Sequence, residues 1–237
     1  FEEIEFTKET EGVILKAESI GSLEAMISFA KKLNIPIKSA SIGKIKKEDL
    51  IQLELIKDLK YRVILAFNIE IDDETKEKIK SLNAKIFSGN VIYRIFEEYD
   101  KFLKEYEKYE AELALKNVTR PVKIKILEGC IFRRSNPAII GVEIIRGCLQ
   151  KNSTLKTLDG KILGKVNDIQ KEKISIEKAF TNDKVAISMD INVGRDCKEN
   201  DILISHLEKN DIEILLKYKK YLTNDEIELL KEFQIIP

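Results

Sequence analysis

Little in this chain of 237 residues is equipped for covalent chemistry. His206 is its one histidine, and no nucleophile has a base spaced to activate it, so an enzyme acting on a small molecule would lack a paired catalytic group. Gly43-Lys44 is the nearest approach to a phosphate loop, but the rest of GxxxxGK[ST] is missing and no GxGxxG occurs. Asp72, Asp73 and Glu74 could offer carboxylates to a metal, yet acids just ahead of a helical pattern usually cap its first turn. Cys130, Cys148 and Cys197 have no CxxC spacing, which argues against zinc and a disulfide framework and for buried free thiols. What remains is non-covalent binding. Arg133, Arg134, Lys171, Lys173 and Lys184 stand at the ends and turns of short strands, where cations can meet phosphates. The same side chains are equally at home as solvated surface charge.

The elements that must carry these residues fall on either side of one long helical pattern. Ile92, Ile95, Tyr99, Phe102, Tyr106, Tyr109 and Leu113 recur at spacings of three and four, with no Gly or Pro between Val91 and Asn117. At about 1.5 Å per residue such a helix spans on the order of 40 Å, long enough to act as a rigid spacer. Glu97 and Lys101 are an i,i+4 pair in the favoured order. The aromatic stripe is expected to pack locally near each end; a coiled-coil dimer seam is the alternative, for which tyrosine is poorly suited.

Before the helix, strand-like runs at 12–17, 36–42, 62–67 and 85–87 alternate with helical patterns at about 21–33, 47–59 and 74–82, with Ser22 the candidate cap of the first. That alternation predicts a small α/β/α sandwich with a mainly parallel sheet and right-handed crossovers. After Asn117 the apolar period changes from about 3.6 to 2. Short strands at 122–127, 139–145, 154–158, 162–169, 174–176, 185–189 and 202–204 alternate with Asn-Pro, Asp-Gly and Asn-Asp turns. This predicts a Greek-key-type β-barrel. Two short C-terminal helices follow, at about 210–219 behind Asn210 and at 223–233, where Thr223 and Glu226 fit a capping box. The expected fold is therefore α/β plus all-β, divided as 1–90, 91–118 and 119–237.

Totals exclude little. The 41 basic and 41 acidic residues cancel, but 118–204 holds 16 Lys/Arg against 11 Asp/Glu, a mildly basic segment that permits phosphate contact. No run of 18 apolar residues and no signal peptide occurs, so a cytoplasmic protein without a membrane partner is expected. The start at Phe1 without a Met suggests a piece of something longer.

Four regions carry a resemblance: Glu11–Met26 (EGVILKAESIGSLEAM), Ile35–Leu50 (IPIKSASIGKIKKEDL), Arg120–Gly147 (RPVKIKILEGCIFRRSNPAIIGVEIIRG), and the pair Val185–Asp196 (VAISMDINVGRD) and Leu222–Glu232 (LTNDEIELLKE). The Phe132–Ala138 block followed by Gly141-Val142-Glu143 is the most specific. Over nearly its whole length the sequence resembles the C-terminal half of translation initiation factor 5B of archaea and eukaryotes, homologue of bacterial initiation factor 2. The resemblance implies a GTPase that promotes joining of ribosomal subunits. Its GTP and Mg would be held by a domain upstream of this stretch, which itself needs no cofactor. It further implies that the barrel binds the acceptor end of initiator methionyl-tRNA, with Gly141 and Val142 on the strand that aligns with the contacting strand of the bacterial homologues. The terminal helices and the barrel would also receive the tail of initiation factor 1A, with Ile214, Leu215, Leu229 and Ile236 as the candidate groove; a plain cap closing the barrel is the other reading, and the two are compatible. A barrel from another translational GTPase is a further alternative, against which the long helix and the Phe132–Gly147 block stand. Against the family's usual pattern, Asp196 replaces Gln and sets an acid beside Arg195, Cys148 replaces a base expected at the barrel's rim, and Lys151-Asn152 replaces a Pro-Gly turn.

Overall fold

The computed structural model describes residues 11–237; the first ten residues of the expected 1–90 unit lie outside them. Two compact units emerge, Phe1–Glu107 and Lys108–Pro237, each taking part of one long helix.

In the first unit, strands β1 (Val13–Ala17), β2 (Ile37–Ile42), β3 (Val63–Phe67) and β4 (Lys85–Gly89) form a sheet of order β2-β1-β3-β4. Every pairing is parallel. Alternation along the central strands divides their side chains between two cores. Val13, Leu15, Val63 and Leu65 pack with helix α1 (Ile20–Lys32) and with Ile95, Phe96 and Tyr99 of the long helix α4 (Ile92–Lys116). Ile14, Ile64 and Ala66 pack on the other face with Leu53 of α2 (Lys47–Glu54) and Ile79 of α3 (Asp73–Ser81). Helices on both faces explain why β1 is buried at all five positions. Ser19, rather than Ser22, caps α1: the helix starts at Ile20, three residues before its first inward apolar residue Leu23, and the Ser22 N–H donates to Ser19 Oγ at 3.3 Å. Asp72 caps α3, accepting from the Thr75 N–H at 2.7 Å, so this acidic cluster serves the helix end.

One buried position in β1 is not apolar. Lys16 Nζ lies 3.0 Å from Asp49 Oδ2 and donates to Ser41 Oγ at 2.7 Å, tying β1, β2 and α2 together.

Helix α4 buries Ile95 and Tyr99 in the first unit and Ala111 and Leu115 in the second, while Tyr109 and Leu113 are exposed. The expected stripe therefore does not run the full length. Each end packs against its own core, and the second core takes residues that lie off the stripe. Glu97 and Lys101 pair at 3.8 Å, as their spacing predicts.

In the second unit, β5 (Val122–Arg133), β6 (Ala138–Gln150), β7 (Thr154–Thr157), β8 (Ile162–Lys171), β11 (Lys184–Met189) and β12 (Ile202–Ser205) close a six-stranded antiparallel barrel. Its circuit is β5-β6-β11-β8-β7-β12 and back to β5, so neighbours depart from chain order as Greek-key connections require. Two short strands, β9 (Ile174–Ser175) and β10 (Lys178–Phe180), pair with the outer parts of β8 and β6. Helices α5 (Lys209–Lys217) and α6 (Asn224–Glu232) follow, with Glu208 rather than Asn210 at the cap of α5. Strands β5 and β6 run longer than their alternation suggests because β5 bends through a bulge at Gly129 (φ 69°) and stays paired. There a Cβ on Gly141 would stand 2.6 Å from Cys130 Cβ, so close approach of the two strands requires glycine at 141.

Two outcomes follow from this packing. Replacing Asp49 with Ala strands the buried Lys16 ammonium and should cost about 3 kcal/mol in denaturant unfolding, whereas Lys16→Met with Asp49→Leu should recover most of it. Gly141→Ala should destabilise the barrel by about 2 kcal/mol, and Cys130→Gly in the same chain should restore it.

Candidate functional site

The barrel separates the candidate cations into two groups. Arg133 and Arg134 stand at the tip of the β5–β6 hairpin, beside the cis Asn136-Pro137 peptide. The Arg133 Nε–H donates to Pro137 O at 2.7 Å and braces the tip, while Arg134 accepts the Val193 N–H at its carbonyl and leaves its guanidinium exposed beside Gly194. Lys171, Lys173 and Lys184 lie elsewhere, at the turns that close β8–β9 and β10–β11. Since Lys184 pairs with Glu143 whereas the tip meets β6 at Ile139, the groups are separated along β6 by four residues, about 13 Å of strand. The second group is also partly neutralised: Lys171 Nζ lies 2.6 Å from Asp183 Oδ1, whose carboxyl is held below its ordinary range first by that lysine.

Gly141 and Val142 do not face solvent. Val142 belongs to the barrel core and Gly141 is buried against Cys130, so as they stand they shape the hairpin and offer no contact surface. The exposed feature nearby is Phe132, which composition alone does not single out. It is 66% exposed beside the two arginines.

The three positions at which the sequence is expected to depart from the pattern of the family it resembles have physical readings. Asp196 binds the Asn192 N–H at 2.8 Å, lies 3.0 Å from Lys161 Nζ and is met by Arg195 at 3.2 and 3.3 Å. The Arg195 hydrogen bonds, then the Asn192 N–H and Lys161, hold its carboxyl far below the ordinary range. Both cations thus have an acidic partner within the protein, while their side chains remain exposed. Cys148 is fully buried, not at a rim, and burial pushes its thiol up to about 11, which leaves it inert. At the third position Asn152 adopts φ 66°, the left-handed conformation that Gly would supply, and Lys151 pairs with Asp168 at 3.1 Å and Glu177 at 3.2 Å.

At the C-terminal helices the apolar candidates also divide. Leu215 and Leu229 are fully buried, Leu215 in a cluster with Leu115, Val118 and Leu230 and Leu229 against Gly147. Ile214 and Ile236 pack at the margin of that cluster and remain partly accessible. Leu216, 42% exposed, is an additional apolar surface residue on α5. The residue that sequence reasoning passes over is Arg120, which forms a bidentate pair with Glu226 at 2.6 Å for both contacts, both side chains buried. Its signal lies a hundred residues from its partner, beyond the reach of any local motif.

No helix among the described residues is long and apolar enough to cross a membrane. Comparison with known proteins places the two units. Residues 1–100 match the family model of translation-initiation factor 2, and residues 120–204 match that of elongation factor Tu domain 4. A probable translation initiation factor IF-2 of Pyrobaculum calidifontis is 39% identical over 98% of this chain and 40% of its own length. One of Hyperthermus butylicus is 41% identical over 98% of this chain and 39% of its own. The crystal structure of GDP-bound aIF5B from Aeropyrum pernix is similar at 32% identity and a TM-score of 0.63, over 97% of this chain and 40% of that one. The chain thus spans about two fifths of the length of these relatives, and it belongs to the translation initiation factor family named IF-2 and aIF5B.

Proposed function

We propose that this chain is the tRNA-carrying part of a cytoplasmic translation initiation GTPase that promotes joining of the ribosomal subunits, with GTP and Mg bound elsewhere in the longer protein. On this reading 1–90 and 119–237 are working domains and 91–118 is the spacer between them. The barrel takes the acceptor end of initiator methionyl-tRNA, and α5 and α6 take the tail of initiation factor 1A through Ile214, Ile236 and Leu216. The observation that carries the tRNA reading is the hairpin tip, where an exposed Phe132 stands beside Arg133 and Arg134. An aromatic face next to cations suits single-stranded RNA, whose bases stack while its phosphates pair. Lys173 and Lys184 supply a second, weaker phosphate contact, with Lys171 restrained by Asp183.

An NMR titration of the whole chain with a methionyl-tRNA acceptor mimic should shift resonances of 132–134, and Arg134→Ala should lower the salt slope of binding by about 1. Shifts confined to 11–90 would overturn the assignment. A peptide carrying the tail of factor 1A should shift 207–236 instead, and the chain by itself should hydrolyse no GTP.

Asp196→Gln restores the residue usual in the family and frees Arg195 and Lys161, so binding of the mimic should tighten several-fold at low salt. Lowering the pH to about 4 should not mimic that substitution, because a carboxyl depressed below the ordinary Asp value stays ionised there. Its contribution to loop order is present above the ordinary value and is lost only in stronger acid. The check is a binding isotherm for each protein at both pH values.

A further inference from the structure

We infer that the two terminal helices and Gln150 form a clamp on the joint where α4 leaves its last turn and enters the barrel. The joint, residues 115–120, has almost no backbone freedom left. The Gln150 Nε2 amide, on a side chain only 3% exposed, donates to Leu115 O at 2.8 Å, to Lys116 O at 3.4 Å and to Val118 O. These carbonyls sit at the end of α4, where helical partners run out. The Thr119 N–H donates to Asp211 Oδ1 at 3.2 Å, and Thr119 Oγ1 accepts from the Thr154 N–H at 3.2 Å. Arg120 is held by both oxygens of Glu226.

Asp211 and Glu226 occupy equivalent places. Each is the third residue of its helix and accepts the N–H of its own cap residue: Asp211 from Glu208 at 3.0 Å, Glu226 from Thr223 at 2.8 Å. Each therefore performs two tasks at once, closing the first turn of its own helix and gripping the joint. Neither helix can tilt or fray without releasing one of the joint's anchors. The packing agrees, since Leu115 and Val118 share a core with Leu215 and Leu230. The inference goes beyond the partner site proposed for α5 and α6. It gives these helices a mechanical task, fixing the direction in which α4 leaves the barrel, that needs no partner.

The test is an electron-spin distance measurement on the full chain, with Cys130 replaced by Ser and labels at Lys108→Cys in α4 and Lys165→Cys in β8. The unsubstituted joint should give one narrow distance distribution. Asp211→Ala and Gln150→Ala should each broaden it and make the Thr119 amide exchange about tenfold faster. Glu228→Ala, on α6 away from the joint, should change neither reading. Asp211→Asn, whose amide can serve only part of the double task, should fall between. If Gln150→Ala does not fold, the Asp211 variants decide, because Asp211 is partly exposed and outside the barrel core. A broad distribution in the unsubstituted chain, or an unchanged one in Asp211→Ala, would overturn the clamp. None of these readouts involves a ligand, so their failure would leave the tRNA reading standing, and a failed tRNA titration would leave the clamp.

Discussion

The second unit depends on the buried pair of Arg120 and Glu226. Burial is the largest single influence on Arg120 and works against its charge, yet the hydrogen bonds to Glu226 and the nearby charges of Cys148 and Glu226 together outweigh it and hold the guanidinium above its ordinary range. Such a pair contributes less to net stability than to uniqueness of arrangement, because an apolar substitute could fill the same space without fixing a direction. Here direction matters. Arg120 opens the barrel and Glu226 opens the last helix, so one bidentate contact sets the first strand against the chain's end. Gly147 supports it: with φ 95° and a would-be Cβ 2.2 Å from Pro121 O, it lets β6 pass close beneath that contact.

The first unit solves a different problem with a similar device. Its sheet is covered on both faces: the alternation of β1 and β3 supplies an apolar side to each, and α1 and α4 pack on one while α2 and α3 pack on the other. The buried Lys16–Asp49 pair sits in the second layer, where α2 is short and brings few apolar side chains. As in the barrel, a buried charge pair joins elements that lie apart in sequence.

Most of the architecture was legible in the sequence because periodicity reports local geometry. The parallel unit, the long helix, the barrel and the Thr223 capping box all follow from spacing. What local spacing missed was set by contacts distant in sequence. Strand β5 continues through its bulge because β6 holds it, β10 is only three residues long and is held by the end of β6, and Tyr109 is exposed because the core of the second unit takes Ala111 and Leu115. The candidate site was legible as residue types but less so as a surface. The double arginine could be seen, yet its separation from Lys184 is a matter of strand register. Val142, Leu215 and Leu229 read as contact candidates because apolar residues suit grooves and cores alike, and burial assigns them to cores. The acid at 196 was visible from the start; that it pairs with Lys161 as well as with Arg195 required the fold.

Gln150 carries a consequence for the chemical durability of the chain. Its amide orientation is fixed, because the opposite flip would set Oε1 against three carbonyl oxygens, and Oε1 as placed is buried with no hydrogen-bond partner among the described residues. Side-chain amides are among the groups most readily lost to hydrolysis at high temperature. Were this one hydrolysed, a carboxylate would replace the donor and face the negative end of the helix dipole. The burial that aims the amide also keeps water from it, so ageing of the molecule at this position is slowed by the same packing that makes the position matter.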